Sequence, residues 1–281
     1  MAYRSHFNHL HASLGSQSPP RLDAESVSYA VAVDAQATQR VELALVWRSL
    51  VEGRFRVEDA FFTGTRCGLV LARQPHDAQA LLGRRLVVLE SLLYGVGQKR
   101  IAIELNLAPS TIAFVARLAL QQLGVYGRPS RAHPMLMLAA TASRHPEAQV
   151  MASESLLADD SDDRRVIGMP RPDAGLAAMM PKAELEVVRQ LVEGRCYAEI
   201  SSERGTSART TANQVAAAFR RLEASGRSEL IQRLFVVSGL IPQRMRPDYL
   251  EGSHLPRGGW TATPTRRRRE RVGRGAALGT W

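Results

Sequence analysis

Between Ser207 and Arg227 the chain reads SARTTANQVAAAFRRLEASGR. Arg209, Thr210, Asn213 and Gln214 gather a guanidinium, a hydroxyl and two carboxamides near the start of that stretch, and Arg220 with Arg221 follows further on. These groups suit hydrogen bonding to flat, edge-presented partners. A carboxamide such as Asn213 pairs bidentately with adenine, Arg209 reaches guanine or a phosphate, and Thr210 and Gln214 contact backbone or bases. Elsewhere the chemistry is sparse. No phosphate-binding glycine loop, zinc-helix signature, nucleophile elbow or Cys/His metal pattern occurs, and the His6 to His11 cluster lies in a terminal stretch with no folding signal. The expectation is a protein that is not an enzyme and needs no cofactor.

The element that positions those residues is a helix. Val215, Phe219 and Leu222 recur every three to four residues, the rhythm that buries one helix side. Ser207 stands just before them as an N-cap. A core helix requires only the apolar stripe, so the opposite, polar side is the part that asks for a partner.

The same segment occurs twice. LLYGVGQKRIAIELNLAPSTIAFVARLALQQLGVYGR from Leu92 overlays LVEGRCYAEISSERGTSARTTANQVAAAFRRLEASGR from Leu191 at a constant offset of 99 without a gap. Each copy reads as a helix ending at Gly, a short helix, a tight turn and a longer helix. In the first copy the short helix spans about 99 to 105, Asn106 and Leu107 turn, and Pro109 opens the next helix; in the second, Gly205 supplies the turn. Two helices joined by so short a turn, with a polar or basic second helix, make the helix-turn-helix that enters the major groove of DNA.

Both copies resemble the helix-turn-helix domain of LuxR-type transcription regulators. The first does so through RIAIEL, STIAFV and QQLGV (Gln121 to Val125). The second does so through ELEVVRQLVEG (Glu184 to Gly194), AEIS, RTTANQV and the following RSELIQRL (Arg227 to Leu234). The resemblance covers roughly residues 82 to 131 and 181 to 235. It implies sequence-specific binding of double-stranded DNA, with Arg209, Thr210, Asn213, Gln214 and Arg220 in the second copy, and Ser110, Thr111, Arg117, Lys99 and Arg100 in the first, as the residues that touch it. Lys99, Arg100 and Arg117 suit phosphates. It further implies homodimerisation through the last helix, from Arg227 to Leu234. The first copy presents Ala113, Phe114 and Val115 where polar residues are usual, so that copy either reads bases or docks a protein. A sigma-factor-like module with RNA polymerase as partner, or a protein-interaction module, is the alternative.

Charge agrees with an anionic partner. The formal net charge is +10, of which residues 257 to 281 carry +6 and residues 84 to 143 carry +5, while 144 to 181 are acidic. No apolar run approaches a membrane span, and no long apolar signal segment opens the chain, so a soluble, cytoplasmic protein is expected. Cys67 and Cys196 are too far apart in sequence and too few for a metal knuckle and read as two reduced residues.

The expected fold is mainly α: tandem LuxR-like helix-turn-helix domains preceded by small β-hairpin elements. The expected divisions are a disordered 1 to 37, an amphipathic helix plus hairpin in 38 to 80, a first helix-turn-helix domain in 81 to 138, a linker or degraded hairpin in 139 to 175, a second such domain in 176 to 238, and a disordered basic tail in 239 to 281. The hairpin is expected in Phe55 to Pro75, around a turn at Thr63 to Thr65.

Overall fold

A computed structural model describes residues 39–126, 131–145, 150–156 and 164–241. The N-terminal segment, with its histidine cluster, and the arginine-rich tail lie outside the described residues. Five strands and nine α-helices are described: β1 (Gln39–Glu42), α1 (Leu43–Val51), β2 (Phe55–Phe62), β3 (Arg66–Arg73), α2 (Gly83–Leu93), α3 (Gln98–Glu104), α4 (Pro109–Gln122), α5 (His133–Arg144), β4 (Met151–Leu156), β5 (Arg164–Pro170), α6 (Lys182–Val192), α7 (Tyr197–Glu203), α8 (Ala208–Arg221) and α9 (Arg227–Val237).

The expectation of a mainly α protein with only small hairpins is overturned. All five strands form one antiparallel sheet, ordered β1-β4-β5-β3-β2, and the described residues are 54% helical and 17% strand, a mixed α/β fold. The reason is non-local pairing. Each hairpin carries its own alternating pattern, but β3 pairs with the whole of β5, from Arg66 opposite Pro170 to Ala72 opposite Arg164. Cys67, Leu69 and Leu71 of β3 and Ile167 and Met169 of β5 thereby share one face, on which α1 and α5 pack through Trp47, Leu50, Met135 and Leu138. The core is continuous from this sheet face into the second helical unit, whereas the first unit also keeps a small core of its own, with Val88, Ile101 and Ile112.

Backbone details repeat at the offset of 99. Gly95 and Gly194, Asn106 and Gly205, and Gly124 and Glu223 are paired left-handed residues, with φ of 84° and 93°, 50° and 59°, and 86° and 50°. The helix-ending bonds repeat too: Val125 N–H donates to Leu120 O and Ala224 N–H to Phe219 O, both at 2.8 Å. The sequence LEASGR thus closes α8 as LGV closes α4, although Glu223 has a side chain where Gly124 has none. Gly124 cannot be exchanged so freely. It abuts a bulge in β2 between Val57 and Asp59; an added Cβ would lie 2.2 Å from Val57 O, beside the bond from Val57 N–H to Leu123 O at 2.7 Å.

Three contacts fix the helical units to this frame. Glu90 of α2 accepts from Trp47 Nε1 at 3.2 Å and from Arg144 at 2.9 Å, and Arg144 also lies over the Tyr94 ring. Arg171, just after β5, pairs with Asp173 at 2.9 Å and Glu193 at 2.9 Å and donates to Thr63 O; Asp173 also takes Arg189 at 3.1 Å. Burial opposes the charge on Arg171, but the hydrogen bonds and charges of Asp173 and Glu193 outweigh it and hold its pKa above the usual value. Finally, α9 reaches across to the first unit: Gln232 Nε2 donates to Tyr94 O at 2.6 Å, and Ser228 packs where a Cβ on Gly95 would stand.

The starts of α5 and α9 also meet. His133 Nε2 is enclosed with no hydrogen-bond partner, and burial, followed by the nearby Arg227 charge, pushes the imidazole pKa down to about 3. The unfolded chain takes up this proton near pH 6.5 while the folded one resists it to about pH 3, so the contribution is complete above pH 6.5 and is lost as pH falls from there toward 3. Urea titrations should show His133→Leu removing a pH-dependent loss of up to about 4 kcal/mol over that window, relative to the parent chain. An unchanged slope would place His133 in water.

Asp173→Asn should destabilise by about 3 to 5 kcal/mol in the same assay, because Arg171 is left buried with a weakened partner. Gly124→Ala should cost about 1 to 3 kcal/mol through strain against β2, whereas Glu223→Gly at the equivalent position should be neutral or stabilising by up to about 1 kcal/mol. Equal effects at 124 and 223 would contradict the difference in surroundings.

Candidate nucleic-acid interface

Two helix-turn-helix units stand on this frame. The axes of α3 and α4 diverge by 104° across the turn 105–108, within the range of the motif. In the second unit Thr206 and Thr211 share a hydrogen bond at 3.0 Å inside the turn, Thr211 being fully buried. Ser207 Oγ caps α8 by accepting from Thr210 N–H at 3.0 Å. At α7, Cys196 is the N-cap and its N–H donates to Glu199 at 2.6 Å.

The outer side of α8 is a single stripe. Arg209, Asn213, Ala216 and Arg220 are all exposed, spaced by four, three and four residues, over roughly 16 Å of helix axis. The side chains of Arg209, Asn213 and Arg220 make no hydrogen bond or ion pair among the described residues. Val215 and Leu222 are buried on the inner side and Phe219 packs against the same core. The small side chains of Ala212 and Ala216, both exposed, leave the backbone of this face open to close approach.

Other residues expected to touch a ligand are engaged within the chain. Gln214 is half-buried and its Oε1 accepts from Arg204, which also pairs with Glu186 at 3.6 Å. Thr210 Oγ1 shares a hydrogen bond with Ser207 at 2.8 Å. Arg221 is held by Glu184 at 3.1 Å.

In the first unit the equivalent stripe on α4 is Ser110, Phe114, Arg117 and Gln121, all exposed. Arg117 lies over the Phe114 ring at 5.4 Å, Lys99 is exposed without an ion pair among the described residues, Arg100 pairs with Glu104 at 2.9 Å, and Thr111 is half-buried. Residues that sequence reasoning passed over include Arg204, which orients Gln214 from the turn, and Gln121, which extends the α4 stripe. The offset of 99 from Arg220 was the signal for Gln121; nothing local marked Arg204.

Electrostatics favours an anion at both stripes. Neither α4 nor α8 contains an Asp or Glu, and the carboxylates of the preceding short helices are occupied: Glu104 by Arg100, Glu203 by Arg195 and Glu199 by the α7 cap. A cleft of about 360 Å³ between β2, the 74–79 segment and α4 is lined by Arg56, Gln74, Arg85, Gln121 and Tyr126 among others, with no carboxylate, histidine or thiol in its wall. Cys67 is buried, its thiol pushed up to about 12 by burial, and Cys196 is half-buried; both are free. Among the described residues no group of three or more His, Cys, Asp or Glu side chains is placed to hold a metal.

The helix that the resemblance assigns to dimerisation, α9, packs its apolar side inward among the described residues. Leu230, Ile231, Leu234 and Phe235 of α9 are buried within the chain. No single described helix is long and apolar enough to cross a membrane. Set against models of protein families, curated proteins and solved structures, the chain matches none of them.

Proposed function

We propose that this protein is a sequence-specific DNA-binding transcription regulator of LuxR-like build, acting in the cytoplasm, which inserts α8 into the major groove. The observation that carries this reading is the α8 stripe: Arg209, Asn213 and Arg220, exposed, unpaired among the described residues and on a helix without a carboxylate. Asn213, one turn into the helix, is the base reader, with its carboxamide suited to the two edge atoms of adenine. Arg209 contacts guanine or a phosphate at the helix start. Arg220 and Lys99 neutralise phosphates, a sequence-independent term that sets affinity and its salt dependence. Gln214 supports the site by its bond to Arg204, and Thr210 by completing the cap. The burial of the α9 face within the chain supports one chain using two units of its own in place of two identical subunits.

Selection of bound duplexes from a random pool by the full chain, at two salt concentrations, tests this reading. A defined motif should emerge. Asn213→Ala should relax preference at one base pair at a cost of about 1 to 3 kcal/mol, while Lys99→Ala should weaken all duplexes alike and lower the salt slope by about one. Equal losses on selected and random duplexes for Asn213→Ala would remove the base-reading role, and binding without any motif would remove the regulator.

A further inference from the structure

The two units share a backbone but not a surface. Position for position, Phe114 stands where Asn213 stands, on stripes that are both exposed and both free of carboxylates. Phe114 is 51% exposed, so its ring is not accounted for by packing inside the chain. The rest of its stripe is polar: Ser110 before it, Arg117 and Gln121 after it. Ile103, 80% exposed, lies on the preceding helix α3, but along the α4 stripe itself the apolar surface is one ring. A single apolar group in a row of hydrogen-bonding and cationic side chains matches the major-groove edge of thymine, whose C5-methyl is the one apolar feature displayed there. The Arg117 guanidinium lies over the ring, 5.4 Å from its centre, and places beside it a positive charge suited to the phosphates that flank a base.

We infer that the first unit also binds double-stranded DNA and reads thymine through its C5-methyl, with Phe114 as the specificity-determining residue and Arg117 as its positioning residue. This rests on the DNA-binding reading above and extends it. The chain then recognises an asymmetric site, one half read by the carboxamide of Asn213 and the other by the phenyl ring of Phe114.

The test replaces thymine by uracil, which keeps every hydrogen-bonding group and removes only the methyl. The full chain is titrated, by fluorescence anisotropy at fixed salt, against a duplex of about two helical turns of alternating adenine and thymine and against the same duplex with uracil for thymine. The thymine duplex should bind about fourfold to fifteenfold more tightly, the range expected for burying one or two methyl groups. Phe114→Ala should bring the ratio to one and Phe114→Leu should keep most of it, whereas Asn213→Ala should weaken binding of both duplexes by a similar factor. Because Phe114 is exposed, circular dichroism should show each variant folded as the parent. A ratio of one for the parent, or a ratio that survives Phe114→Ala, overturns the methyl reading while leaving selection by α8 intact. Salt-sensitive binding absent from both duplexes and from the random pool overturns both readings, and leaves Phe114 as a contact for a protein.

Discussion

The contact on which the arrangement depends is the buried pairing of Arg171 with Asp173. Arg171 is 5% exposed and Asp173 1%. Two charges so far from water are tolerable only if nearly all their hydrogen-bonding capacity is met, and here it is met by other parts of the chain: Thr63 O from the β2–β3 turn, Arg189 from α6, and Glu193 at its C-terminal end. Satisfying that network allows few geometries. It therefore sets where the second helical unit stands against the sheet, a specificity that the surrounding apolar contacts, which are indifferent to direction, would not impose by themselves.

The rest follows from a sheet built by both halves of the chain. Since β3 pairs with β5, neither hairpin is a separate platform, and the continuous core beneath α1 and α5 runs into the second unit. The first unit is attached differently, through the Glu90 and Tyr94 contacts to α1 and α5 and through the junction of Gly124 with the β2 bulge. Helix α9 belongs to the second unit in sequence but touches the first at Tyr94 and Gly95. Both second helices are in this way held by tertiary contacts on their inner sides while their outer stripes stay open.

The partition of charge along those helices is what the proposed function rests on. Acidic side chains of the short helices α3 and α7 are bound by neighbouring cations or a helix cap, so the outward field of the stripes comes from Arg117, Arg209 and Arg220. That arrangement would be of little use to a stability-driven surface, where ion pairs of the α3 kind suffice. It suits a polyanion. The repeat keeps some inner residues, such as Ile101 and Ile200, Ala119 and Ala218, and Leu123 and Leu222, while its outer ones differ, Asn213 against Phe114 and Arg220 against Gln121, which is the pattern expected if the two outer faces meet different surroundings.

Sequence by itself determined the local units. The apolar rhythm of Val215, Phe219 and Leu222, the Ser207 cap and the offset of 99 located α8, its turn and its outward residues, because helix period, capping and turn conformation are set within a few residues. Even the closing turn at Glu223 was concealed only by its chemistry: glycine favours a left-handed residue but is not required, and helix-ending bonds from Ala224 held Glu223 there. What tertiary structure alone decided is longer in range. Whether the segment from 139 to 175 was linker or hairpin, and that its strand Arg164–Pro170 would sit beside β3, could not be read locally, since strand pairing depends on partners about a hundred residues away and alternating patterns name no partner. The same holds for Gln214, which the stripe alone would expose but which Arg204 draws inward, and for α9, whose apolar face is identical in sequence whether it meets a second subunit or, as found, its own chain.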